Sequence, residues 1–203
     1  MSKILLAQHR VNAISAIPSI PLNVGAEIDL RTHGNDIILT HDAFTTGDKF
    51  EDWLKAYGKD RKGPLILNVK EDMLEEKAAE LCQSHGLSNY FFIDVAFPTM
   101  RRLAESGFKG MSLRVSEYET LETARNFQGK VEWIWLDCFT GRVPEKKLVD
   151  EIHDMGFRIA LVSPELQKYG EEVIRRHFTA LEYLAENDVV CTKRPDLWSS
   201  ASA

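Results

Sequence analysis

The sequence predicts an α/β fold, a compact (β/α)8 TIM barrel with a small hairpin after strand 2. Three observations lead there. Eight short apolar runs, rich in β-branched or aromatic residues, recur along the 203 residues, as buried parallel strands do. Amphipathic stretches fill most of the gaps between them, giving a β-α rhythm. The first run ends in Gln8-His9-Arg10-Val11, with no Gly-rich phosphate loop of the kind that opens many doubly wound nucleotide-binding folds. Eight units therefore favour closure over an open sheet. A barrel typically needs ~250 residues, so this one must be short of ornament.

The runs are Ile4–Ala7, Ala26–Leu30, Leu65–Val69, Tyr90–Ile93, Met111–Val115, Val131–Leu136, Phe157–Val162 and Val189–Thr192. A further run, Ile37–Thr40, follows the turn signal Gly34-Asn35 and supplies the hairpin. Between Arg10 and Val24, Pro18 and Pro21 allow at most a short or broken helix. Helical spacing of Phe50, Trp53, Leu54 and Tyr57 predicts a helix over Asp48–Tyr57. Helices are also predicted over Glu71–His85 and Phe97–Ser106, stopped by Gly86 and Gly107. Ser116 and Glu119 have capping-box spacing and predict a helix to about Phe127. Pro144 opens a helix to about Met155, and Glu171–Glu186 reads as the longest helical stretch. Residues 1–198 are expected to form one domain, with 199–203 a frayed tail.

Composition bounds the function. The chain is 44% hydrophobic and 28% charged with net charge −6, which fits a globular protein and argues against a general nucleic-acid binder. Cys82, Cys138 and Cys191 each lie in or beside apolar runs. They read as buried side chains, and the missing disulfide framework predicts a reducing, cytoplasmic location. No stretch reaches the ~18 apolar residues of a membrane span, and no secretory leader is evident.

In a parallel barrel, chemistry collects at the C-terminal strand ends. Strand 1 ends at His9-Arg10. Glu27 and Asp29 on strand 2 are two residues apart and share a face. Two carboxylates on one face of a buried strand repel each other and lose hydration, and a divalent cation would neutralise both. Hard oxygen ligands suit Mg²⁺ or Ca²⁺. His41-Asp42 follows the hairpin, and Asn68 and Lys70 share a face of strand 3. Two imidazoles, two carboxylates, a lysine and an arginine at adjacent strand ends suit phosphodiester chemistry. Arg114 near the end of strand 5 and Asp137 after strand 6 fall on the same face. Arg114 either holds an anionic substrate group, with Asp137 its partner or a contact to a polar head, or the two form a rim salt bridge. Trp133 and Trp135 read as core. Glu117, Glu165, His33, His85, His153 and His177 carry no motif and read as surface residues.

The segment Gly25-Ala26-Glu27-Ile28-Asp29 through Thr40-His41-Asp42 resembles the signature of glycerophosphodiester phosphodiesterases, G-A-x-x-x-E-x-D-x-x-x-T-x-D-G-x-x-V-x-x-H-D, in compacted form. His9-Arg10 resembles the start of that family's His-Arg-Gly motif. Leu67-Asn68-Val69-Lys70 resembles its third-strand acidic-x-Lys motif, and Cys191–Asp196 its closing Thr-Asp-x-Pro motif. The resemblance implies a TIM barrel and a divalent metal on Glu27, Asp29 and the position of Asn68. It implies His9 and His41 as the acid/base pair, with Arg10 and Lys70 on the phosphate, acting on a small-molecule phosphodiester of lipid metabolism. Attack by an adjacent substrate hydroxyl is the family's route, and which histidine is the base stays open.

The sequence also departs from the pattern. Val11 replaces the glycine after His-Arg, the Pro-Glu-Asn-Thr stretch is missing, and Asn68 stands where the family has an acid. The amide removes one negative charge from the metal site. A phospho-ligand-binding barrel with impaired catalysis is therefore the alternative to a hydrolase. A sugar-phosphate isomerase or aldolase lacks supporting motifs.

Overall fold

A computed structural model describes residues 4–201. Ten strands appear in chain order: β1 (Leu5–Gln8), β2 (Val24–His33), β3 (Asp36–Leu39), β4 (Asp48–Lys49), β5 (Leu65–Val69), β6 (Tyr90–Ile93), β7 (Ser112–Val115), β8 (Trp133–Leu136), β9 (Arg158–Val162) and β10 (Val189–Thr192). Seven α-helices follow the same order: α1 (Phe50–Tyr57), α2 (Glu75–Ser84), α3 (Phe97–Glu105), α4 (Glu122–Arg125), α5 (Lys146–Asp154), α6 (Glu171–His177) and α7 (Pro195–Ala201).

Eight parallel strands make one curled sheet in the order β6-β5-β2-β1-β10-β9-β8-β7. Its two ends approach at one parallel bridge, Phe92 to Met111, with the Phe92 amide donating to the Gly110 carbonyl at 2.9 Å. β3 pairs antiparallel with the outer half of β2, from Leu30↔Leu39 to His33↔Asp36, and β4 adds to β3.

Alternation along the strands sorts side chains to two sides. Ala7, Ile66, Phe91, Ile93, Trp133, Trp135, Ala160, Val162, Val189 and Cys191 form one buried cluster on the concave side. Phe91 and Trp133 stack there with ring centroids 4.2 Å apart, so the tryptophans are core, as expected. The intervening residues, such as Ile28, Leu67, Ile134 and Leu161, face the helices in a second, larger cluster. Gly25 sits where β2 passes the Gly63-Pro64 backbone. A Cβ on it would lie 2.0 Å from the Pro64 carbonyl oxygen, so any side chain would force the segments apart.

Several elements differ from expectation. The Ser116–Glu119 hydrogen bonds form, with the Glu119 amide donating to Ser116 Oγ at 3.1 Å. They close a turn, however, and α4 is confined to Glu122–Arg125. The stretch 171–186 holds only α6 and a 3-10 turn over Phe178–Glu182. There His177 turns its ring onto the Val173 carbonyl, and Phe178 packs edge-on against Trp198. Asp48 and Lys49 belong to β4 rather than to α1. The Arg10–Val24 gap holds one 3-10 turn, Ile14–Ser19, with Pro18 inside. α7 runs through Ala201, so 199–201 are helical rather than a frayed tail; residues 202 and 203 lie outside the described residues. All three cysteines are free and buried. No helix among the described residues is long and apolar enough to cross a membrane.

Candidate active site

The concave side turns polar at the C-terminal strand ends. Glu27 and Asp29 point inward from β2, and Asn68 from the adjacent β5, in register with Asp29. All three are buried. Around them the chain supplies donors. The Arg10 amide donates to Glu27 Oε2 at 2.7 Å, and His9 Nε2 lies 3.6 Å from the same oxygen. Asn68 Nδ2 donates to Glu27 Oε1 at 3.0 Å. Lys70 Nζ stands 3.3 Å from Asp29 Oδ1, and Arg10 Nε 3.5 Å from Asp29 Oδ2. Asn12 brackets Asp29: its Nδ2 donates to Oδ2 at 2.8 Å, and its Oδ1 accepts the Asp29 amide at 2.9 Å.

Burial and neighbouring charge set the protonation states. Desolvation, with the Asp29 carboxylate beside it, pushes Glu27 up to about 7. Desolvation, then the Arg10 and Lys193 charges, lowers His9 to about 4, so the ring is neutral at pH 7. His9 Nδ1 is buried without a hydrogen-bond partner.

His41 sits just past β3. The Thr40 amide donates to the Asp29 carbonyl, and Arg31 Nε donates to the His41 carbonyl at 3.1 Å, fixing the loop at the level of Asp29. The His41 side chain is exposed, with Nδ1 2.7 Å from Asp42 Oδ1.

Sign-alternating side chains run around the rim from strand to strand. Asp29 and Arg114 stand on β2 and β7, and Arg10, Lys70, Asp94 and Asp137 just after β1, β5, β6 and β8, in the rim order Arg10, Asp29, Lys70, Asp94, Arg114, Asp137. Lys70 Nζ is 3.8 Å from Asp94 Oδ2. Arg114 pairs with Asp94, and its Nη1 donates to Asp137 Oδ2 at 2.7 Å. Glu119 also lies within ion-pair reach of Arg114. With carboxylates on three sides, Arg114 is a rim cross-link in this structure, with Asp137 as its partner. Burial pushes the Asp137 carboxyl up in spite of that guanidinium. Beside Arg114 a cavity of about 330 Å³ opens, lined in part by Asp94, Phe97, Ser112, Glu119 and Trp135.

Five non-glycine residues among those described adopt positive φ: Arg10, Phe44, Met73, Asp94 and Lys168. Each lies in the loop that follows a strand on this face. Conformations of this kind cluster at functional sites.

A divalent cation would need hard oxygen donors. Asn68 Oδ1 is buried and accepts no hydrogen bond, and Asp29 Oδ1 has the Lys70 ion pair but no hydrogen bond; the two residues are paired across neighbouring strands. A cation would relieve both the orphaned oxygen of an amide whose nitrogen bonds Glu27 and the Glu27–Asp29 repulsion. The set fits a metal weakly: no group of three or more His, Cys, Asp or Glu gathers to hold one among the described residues, so a third ligand beside Glu27 and Asp29 would have to be the uncharged Asn68 amide.

Sequence reasoning missed Asn12 and Asp94. Asp94 is the first polar residue after an apolar run, the same signal that pointed to Asp137. Asn12 lies in a loop where no periodicity marks it. Glu165 is also more than surface: its carboxylate accepts from Thr192 Oγ1 and, at 2.8 Å, from the Lys193 amide, tying the β9 and β10 loops. His177 is fully buried rather than solvated, and His153 pairs with buried Asp188 at 2.9 Å.

No protein-family model and no curated protein matches the chain. Solved structures do. A glycerophosphoryl diester phosphodiesterase from Parabacteroides distasonis superposes with a TM-score of 0.65 at 17% identity, over 98% of this chain and 86% of that one. A glycerophosphodiester phosphodiesterase from Agrobacterium tumefaciens gives 0.64 at 14%, over 98% of both chains. A protein from Galdieria sulphuraria, proposed to be a glycerophosphodiester phosphodiesterase, gives 0.70 at 14%, again over 98% of both. At such identities the likeness establishes a shared fold.

Proposed function

We propose that this chain is a phosphodiester hydrolase acting on a glycerophosphodiester-like small molecule, and that its curled sheet is a (β/α)8 barrel closed at the Phe92–Met111 seam. The observation that carries the proposal is the gathering of His9, Arg10 and Lys70 around the buried Glu27–Asp29 pair. The fold shared with solved phosphodiesterases supports it.

Lys70 and Arg10 are the cations that bind the phosphate oxygens, giving up part of their contact with Asp29. They hold the diester so that a neighbouring substrate hydroxyl lies in line with phosphorus, which makes the attack intramolecular. His9 enters neutral, as its lowered pKa favours, and takes the proton of the attacking hydroxyl. As the new P–O bond forms, the P–O bond to the departing alcohol breaks. His41, oriented by Asp42, donates the proton that the leaving oxygen needs. Water then opens the cyclic diester with the two histidines exchanging roles. Glu27, Asp29 and Asn68 would hold a Mg²⁺ or Ca²⁺ ion, which when bound supplies positive charge to the phosphoryl oxygens.

The test is hydrolysis of glycerophosphocholine with and without Mg²⁺ or Ca²⁺. His9→Ala and His41→Ala should each lose roughly 10²–10⁴-fold in kcat. Wild-type rates in both variants would refute the proposal.

A second reading is a barrel that binds the phospho-ligand without turning it over. The Asn68–Glu27 hydrogen bond favours it, because the carboxylate pair is already compensated by an amide, Arg10 and Lys70. Under this reading wild type binds phosphate but is inactive, and Asn68→Glu raises metal affinity.

A further inference from the structure

Five large apolar side chains stand exposed among the described residues: Leu22, Phe44, Met73, Phe97 and Tyr118. Single exposed apolar residues are ordinary, but their placement here is not random. Leu22 precedes β2, on the far side of the sheet. Phe44, Met73 and Tyr118 lie in the loops that follow β3, β5 and β7, and Phe97 opens α3 just after β6, all on the face that carries the polar site. Their relative exposures are 108% for Phe44, 68% for Met73, 54% for Phe97 and 76% for Tyr118. Phe44 and Met73 are held out by left-handed backbone, at φ 62° and 70°, a conformation disfavoured for bulky residues.

We infer that these four side chains form a collar that seats the site on a zwitterionic phospholipid surface, so that a lipid phosphodiester with a free neighbouring hydroxyl, as in a lysophospholipid, is drawn from that surface rather than from bulk water. The inference rests on the phosphodiester reading of the site.

The arrangement argues for lipid over protein. The apolar tips stand on three loops and one helix start around a polar well, with Asp42, Asp72 and Glu119 among them and Lys70 inside. A protein partner needs a continuous complementary patch. A bilayer accepts separate tips between its headgroups while presenting phosphodiesters to the well. The interleaved acids, and a net charge of −6, disfavour an anionic surface and leave a zwitterionic one.

Co-sedimentation with large unilamellar vesicles of phosphatidylcholine tests this. Wild type is expected to partition onto the vesicles. The triple variant Phe44→Ser, Met73→Ser, Tyr118→Ser is expected to lose about tenfold or more of that partitioning, with an unchanged thermal midpoint and unchanged turnover of dissolved glycerophosphocholine. Wild type remaining in the supernatant would overturn the inference, as would equal sedimentation of the variant or binding to anionic vesicles alone. Self-association of wild type that the same substitutions abolish, without vesicle binding, would make the collar a protein contact and also overturn it. Vesicle binding without any hydrolysis of glycerophosphocholine would instead fault the phosphodiester reading and leave the docking surface standing.

Discussion

Asp29 is buried with a carboxylate two residues away, and its stability depends on partners that reach it from other loops. Asn12 provides two of those contacts, one to the carboxylate and one to the backbone amide. Asn12→Ala strands both groups, so it should cost about 1–3 kcal/mol in urea unfolding; a loss below a few tenths would show that water replaces the amide. Lys70 stands between two acids, Asp29 and Asp94. Lys70→Met should therefore weaken phosphate binding and raise KM for a diester, measured against an unchanged fold by circular dichroism. At this scale the sequence was legible wherever strand geometry dictates direction. Glu27, Asp29, Asn68 and Lys70 follow from two-residue alternation, and His9 and Arg10 from a strand end. Asn12 was illegible because a loop residue's direction depends on tertiary contacts that no local pattern encodes.

Helix α5 is tied to the sheet at its last turn. His153 Nε2 meets Asp188 Oδ2, while Asp188 also accepts the Ile159 amide at 2.7 Å and the Ala185 amide at 2.7 Å. The Asp188 hydrogen bond raises His153 above its ordinary 6.5. A raised histidine pKa stabilises the fold fully below about pH 6.5 and loses that contribution as pH rises through the folded-state value. His153→Ala should therefore lower the thermal midpoint more at about pH 5.5 than at about pH 9. An equal loss at both would mean that the ion pair contributes nothing. Gly25→Ala tests the crossing of β2 and Pro64, because the new Cβ has no room beside the Pro64 carbonyl. The expected cost is about 2 kcal/mol or more, read from the urea midpoint. Strands were legible as elements because burial on both sides makes them unbroken apolar runs, and three of the eight have the expected bounds. The helix expected after Ser116 was not, because the capping-box hydrogen bonds serve equally well in an isolated turn.

Across the whole molecule, a net charge of −6 coexists with a mouth built on Arg10, Lys70 and Arg114. Two of those cations are committed to acids on more than one side, so under the proposed function the phosphate would compete with this chain's own carboxylates for Lys70. Such competition would make anion binding salt-sensitive, and weak unless a cation took over the Glu27–Asp29 pair. The architecture was legible from eight apolar runs and a strand-end signature, and the short length follows from the 3-10 turn after β1 and the single-turn α4. The closure expected from eight units is met at the β6–β7 seam by one bridge, whose position was not legible because a single bridge leaves no pattern in either strand. The most direct measurement is turnover of glycerophosphocholine by wild type, His9→Ala and His41→Ala, followed by phosphorus NMR with Mg²⁺ or Ca²⁺ present. Wild type should release a phosphomonoester while both variants fall by roughly 10²-fold or more. Equal turnover by all three would contradict the account.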